Sequence, residues 1–201
     1  MAAPETDRED GRAARARRTR DAIVTAVLEL LESGELRPTG EMIAARAGVS
    51  ERSIFQHFPE RDGLLAAVGD RQRDRVLAIV ERIPVDLPLD ERIDRFVDQR
   101  ARVWEVVAPV RRAALLNEPF SDVVREGLEA ARRLAHAELA VVFAGELDAL
   151  PAHDRTRVHA ALSAAAEFST WESLRAHQGL SVDDARGAVH TAVAALLHAG
   201  A

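Results

Sequence analysis

Apolar residues recur every three to four positions along nearly the whole chain, the period of helices that bury one face. Ile23, Val27 and Leu31 form one stripe with Val24 and Leu28 beside it, and Gly34 ends that helix. Thr39 is placed to cap a short helix through "GEMIAARA", and Gly48 supplies the left-handed turn after it. Ser50 caps a second short helix, "ERSIFQHF", which Pro59 punctuates. A longer helix is expected over Asp62–Ile83, stopped by Pro84 and Pro88. Beyond the connector "PVDLP", helices are expected at Leu89–Val107, Pro109–Leu116, Ser121–Asp148, Ala152–His177 and Val182–His198. Pro119 and Pro151 sit near helix starts, and Ser181 with Asp184 forms an S-x-x-D start signal. No segment alternates with period two and no internal repeat is visible, so the expected fold class is all-α.

The first third carries the strongest local signal. Three short helices, the second and third joined by "AGVS", match a helix-turn-helix, whose last helix enters the DNA major groove. Ile43, Ala44, Ala47, Val49, Ile54 and Phe58 are the inward positions, packing on Val24, Val27 and Leu28. Glu51, Arg52, Ser53, Phe55, Gln56 and His57 are left to face outward. The expected organisation is a disordered tail over 1–16, a helix-turn-helix domain over 17–62, and a helical domain over 63–201 that begins with a connecting helix, 62–83.

Charge refines this picture. The net charge of −6 opposes non-specific attraction to nucleic acid, so binding has to rest on a local patch. "GRAARARRTR" supplies five arginines and no acid just before the first helix, either as DNA contacts or as a solvated tail. Zero cysteines exclude disulfides and thiolate chemistry. No apolar run is long enough to span a bilayer and the N-terminus has no apolar signal core, so a cytoplasmic location is expected. Glycine-rich phosphate loops, G-x-S-x-G elbows and H-E-x-x-H sets are missing, and no second ligand stands at metal spacing from His57. Neither an enzyme, a cofactor nor a metal site is expected.

The run "TGEMIAARAGVSERSIFQHFPERDGLLAAV" resembles the DNA-binding domain of the tetracycline-repressor (TetR) family of bacterial regulators. That family's pattern is T-x-x-x-I-A-x-x-A-G-V-S, then G-T-[LI]-Y-x-[YH]-F, then [KR]-x-x-L-L. Thr39, Ile43, Ala44, Ala47, Gly48, Val49, Ser50, Ile54, His57, Phe58, Arg61 and Leu64 all fall in place. Three positions depart from it: Arg52 replaces the glycine, Ser53 the threonine and Phe55 the tyrosine. The resemblance implies that Thr39, Ser53, His57 and Arg61 lie at or near phosphates, with Ser50 chiefly a cap. Arg52 suits guanine and Gln56 adenine, so both are candidates for base edges. Glu51 either accepts from cytosine or repels phosphates. Phe55 is either an apolar cap or a DNA contact. Arg17, Arg18 and Arg20 are candidates for the minor groove or nearby phosphates.

The resemblance further implies that the rest of the chain binds a small effector and dimerises. Phe96 and Trp104 follow helical spacing, as do Phe168 and Trp171, which makes them candidates either for a pocket lining or for plain core. Gln99, Arg100, Asn117 and Glu167 are the accompanying polar candidates. The alanine-rich segments from Ala152 and Val182 suit a close-packed bundle between two copies. The implied function is a ligand-responsive repressor with double-stranded operator DNA, a second copy and a partly apolar small molecule as partners. An activator, or a regulator answering to a protein partner, remains the alternative.

Overall fold

The computed structural model describes the backbone of residues 5–198 and the side chains of residues 11–198. The described residues form helices α1 (Glu5–Glu32), α2 (Gly40–Ala47), α3 (Glu51–His57), α4 (Arg61–Leu77), α5 (Leu89–Asn117), α6 (Asp122–Val142), α7 (Ala144–Asp148), α8 (Ala152–Ala165), α9 (Phe168–Glu172) and α10 (Val182–His198). A 3-10 turn, Glu118–Phe120, precedes α6, and a π-helical turn, Ser173–His177, follows α9. No strand occurs among the described residues, as the all-α expectation requires.

The chain divides into two compact units, and the division does not fall where the sequence suggested. Among the described residues, one unit comprises those up to Asp74 together with Pro109–Leu128; the other comprises Arg75–Ala108 and those from Glu129 onward. In the first, Ile23, Val27, Leu28 and Leu31 of α1 pack with Ile43, Ala44, Ile54 and Phe58, and with Val68 and Ala113 from further along the chain. In the second, Phe96, Phe143, Leu162, Trp171, Val189 and Val193 form the centre of a separate core.

Several helix boundaries differ from expectation, and most of the differences have one kind of cause. The segment 5–16 is helical rather than a disordered tail; its alanines and arginines are strong helix formers, and residues 1–4 lie outside the described residues. α4 stops at Leu77 instead of reaching Ile83, because the Glu81 N–H donates to Gln99 Oε1 (2.7 Å) and not to a preceding helix carbonyl. α6 breaks at Phe143, where Arg92 Nη1 takes the Val142 carbonyl (2.7 Å). α8 breaks before Glu167, where Trp104 Nε1 takes the Ala166 carbonyl (3.1 Å) and Thr170 Oγ1 that of Ala164 (2.6 Å). In each case a side chain claims a backbone group the continuing helix needs. The opposite happens at Pro109, which stands inside one continuous α5. An interior proline forfeits a hydrogen bond and costs about 3 kcal/mol.

Candidate nucleic-acid interface

Short helices need help at their ends, and the sequence provides it. Thr39 is extended and accepts from the Met42 N–H at 3.2 Å, starting α2. Gly48 closes α2 with φ of 67°, and its N–H returns to the Ala44 carbonyl. Two residues later Ser50 accepts from the Ser53 N–H at 3.2 Å and starts α3. The left-handed glycine between two extended caps turns the chain sharply, which sets α3 across α2 with a fixed roll.

That roll buries Ile54 and Phe58 at 6% and 4% exposure and turns Glu51, Arg52, Phe55 and Gln56 to solvent. Ser53 and His57 lie half-buried at the edges of the outward face. Phe55 is 65% exposed, so it does not cap the core. Glu51 folds back toward the start of α2: a β-carbon placed on Gly40 would come within 3.1 Å of its Oε2. The outward face therefore offers a guanidinium, a carboxamide and an aromatic ring in two turns, a set able to address base edges and the thymine methyl.

The cations divide into two groups. Arg17 and Arg18 are exposed on α1. Arg20 Nη1 donates to the His57 carbonyl at 3.0 Å, and its guanidinium lies 4.1 Å over the Phe58 ring. Arg20, His57, Phe58, Pro59, Glu60 and Gly63 line a recess of about 220 Å³. Arg61, at the first position of α4, donates through Nη2 to Asn117 Oδ1 at 2.5 Å. Beside it Ser121 Oγ donates to Asp62 Oδ1 at 2.9 Å, and Arg71 pairs with Asp21 at 2.8 Å. The Arg20, Asp21, Asn117 and Ser121 contacts join residues 37 to 59 positions apart, which no local pattern announces.

The expected effector residues are divided between the units. Phe96, Gln99, Arg100, Trp104, Phe168 and Trp171 all belong to the second unit, whereas Asn117 belongs to the first. Phe96 meets Phe143 edge-on at 5.3 Å and Trp104 meets Phe168 at 5.8 Å. Gln99 Nε2 donates to Glu138 Oε1 at 2.5 Å, while Arg100 pairs with Glu138 Oε2 at 2.7 Å and donates to the Ala135 carbonyl at 2.9 Å. Burial pushes the Arg100 guanidinium below its ordinary value, and the Glu138 carboxylate partly restores it. Arg100 lies 4.8 Å from the Phe96 centroid, and its buried Nε meets no acceptor. Trp171 Nε1 donates to Glu105 Oε1 at 2.9 Å. Glu167 lies 3.9 Å from His136. A separate open groove of about 330 Å³ is lined by Ala140, Leu147, Asp148, Arg155 and His159, none of them anticipated. Among the described residues there is no cluster able to hold a metal, and no helix long and apolar enough to cross a membrane.

Residues 23–68 match the family model described as bacterial regulatory proteins, tetR family. The chain is 33% identical over 91 residues to the HTH-type transcriptional repressor LfrR of Mycolicibacterium smegmatis, a match covering 45% of this chain and 48% of that one. It thus spans about half the length of that curated relative. Among solved structures, a transcriptional regulator from Rhodococcus sp. Rha1 superposes with a TM-score of 0.67 at 18% identity, covering 92% of this chain and 96% of its own. A tetR-family regulator from Streptomyces coelicolor gives 0.68 at 20% identity, covering 90% and 81%. A regulator from Saccharomonospora viridis, solved in complex with choline, gives 0.67 at 19% identity, covering 86% and 93%. At these identities the superpositions speak to the fold.

Proposed function

We propose that the chain, whose residues 23–68 match the tetR family model, is a transcriptional regulator of that family, a ligand-responsive repressor acting as a dimer on a near-palindromic operator. The observation that carries the DNA-binding part is the division of α3: Ile54 and Phe58 anchor it while Arg52, Phe55 and Gln56 stand outward. Arg52 and Gln56 read base edges, and Arg61 with Arg17 and Arg18 meets phosphates. The name of the LfrR relative supports repression as the sign of regulation.

A head with one seven-residue recognition helix contacts few bases, so specificity calls for two heads on half-sites one helical turn apart. α10 supports this reading. It buries Ala185, Val189, Val193 and Leu197 in its own unit and leaves Gly187, Thr191 and Ala195 exposed. Such a stripe of small side chains suits close approach by the same helix of a second copy.

The choline complex of the S. viridis regulator supports a small-molecule effector as the signal. α4 contributes residues to both units, so a ligand in the second unit that moves α4 alters the spacing of the heads. Effector and operator then weaken each other by the same factor. One observation favours regulation by a protein partner instead: Gln99, Trp104 and Trp171 already have internal hydrogen-bond partners. Selection of bound fragments from the source genome tests the whole reading. A shared inverted repeat is the expected outcome, and the absence of any enriched sequence defeats it.

A further inference from the structure

Seven residues make two turns, too few for a helix to hold its shape alone. α3 has a side-chain cap at its N-terminus, but at its other end the C-cap residue Phe58 leaves helical geometry with φ of −137° and ψ of 79°. The last carbonyls of such a helix look for donors from elsewhere. The Phe58 N–H satisfies the Ile54 carbonyl at 2.8 Å. The His57 carbonyl is reached from α1, by Arg20.

Resting on the reading of α3 as the recognition helix, we propose that Arg20 is a positioning residue for it and not a contact to the DNA backbone. Its geometry serves two ends at once. Nη1 holds the last carbonyl of α3, where a cation also complements the negative end of the helix. The flat face of the guanidinium covers the ring of Phe58, the residue that anchors the end of α3 in the core. A lysine in its place keeps the charge but lacks both the planar face and the fork. The next residue, Asp21, holds α4 through Arg71, so two consecutive residues of α1 secure α3 and α4 to the same turn.

The test compares Arg20→Lys and Arg20→Gln with wild type, using genomic fragments selected by the wild-type protein. A backbone contact predicts that Lys preserves binding, and that Gln lowers the slope of log affinity against log salt by about 0.9. Positioning predicts that Lys and Gln weaken binding alike, by about tenfold, with the slope unchanged and base discrimination relaxed. Amide exchange without DNA reads the same contact directly: both variants should exchange faster at residues 54–58 while α1 stays protected. Wild-type-like exchange in Arg20→Lys, or rescue of binding by lysine, overturns the proposal. If wild type selects no fragment, the recognition-helix reading fails, and exchange still decides whether Arg20 holds α3.

Discussion

Arg61, the first residue of α4, donates to Asn117, the last residue of α5, at 2.5 Å. The two were expected at opposite ends of the function, Arg61 on a phosphate and Asn117 on an effector. Asn117 lies in the first unit with Arg61, and its Nδ2 is in turn anchored to the Ala113 carbonyl at 2.8 Å.

This arrangement pairs Arg61 with a neutral amide at a helix N-terminus, a place suited to a phosphate. Arg61→Ala is expected to weaken specific and non-specific fragments alike and to lower the salt slope by about one. Titrations across a salt series check it. A loss confined to certain sequences would instead make Arg61 a base reader.

Arg52 and Gln56 project from the outward face of α3 without contributing to the buried core. Alanine at either is expected to cost about 1 to 3 kcal/mol at particular base pairs and to leave melting almost unchanged. Binding to a library of single-base operator variants reads this. A uniform loss over the library would remove the assignment.

The turn between α2 and α3 makes a sharper claim about the backbone. Gly48 sits at φ of 67° with open space where a β-carbon would go, so an added methyl meets no neighbour. Gly48→Ala should therefore cost about 1 to 2 kcal/mol through left-handed strain alone. Asparagine, which tolerates that region, should cost less. Ser50→Ala should cost about 1 kcal/mol by removing the α3 cap. Equal melting of Gly48→Ala and Gly48→Asn would show that strain is not the cause.

These local features were legible in the sequence because their causes are local. Thr39, Gly48 and Ser50 act within three or four residues, and the spacing of Ile54 and Phe58 fixes which way α3 faces. What the sequence hid depends on residues distant along the chain. The ends of α4, α6 and α8 are set by Gln99, Arg92 and Trp104, each reaching across 18 to 62 positions. The same holds for Arg20. As one of five arginines within ten residues it looked like its neighbours Arg17 and Arg18, and only the folded position of His57 distinguishes it. Phe96, Trp104, Phe168 and Trp171 belong to one unit and Asn117 to the other, a division that helical periodicity had no means of assigning.

The second unit carries a pH dependence of its own. Arg92 grips Glu146 with two hydrogen bonds, 2.5 Å and 2.8 Å, and also donates to the Leu87 and Val142 carbonyls. The hydrogen bonding from Arg92 holds the Glu146 carboxyl below the ordinary carboxylate range, against an opposing push from burial. The folded chain thus binds this proton less readily than the unfolded one. Its stabilising contribution is complete above the unfolded value of about 4.3 and is lost as pH falls through the lower folded value. Trp104 and Trp171 both belong to this unit, so urea unfolding followed by tryptophan fluorescence reports on it. Glu146→Gln should be less stable than wild type at neutral pH, because the buried Arg92 loses its counter-charge. The gap between the two proteins should narrow as pH drops below the carboxylate range. A gap that stays constant from neutral to acid pH would mean that the Glu146 charge contributes nothing to the stability of the unit.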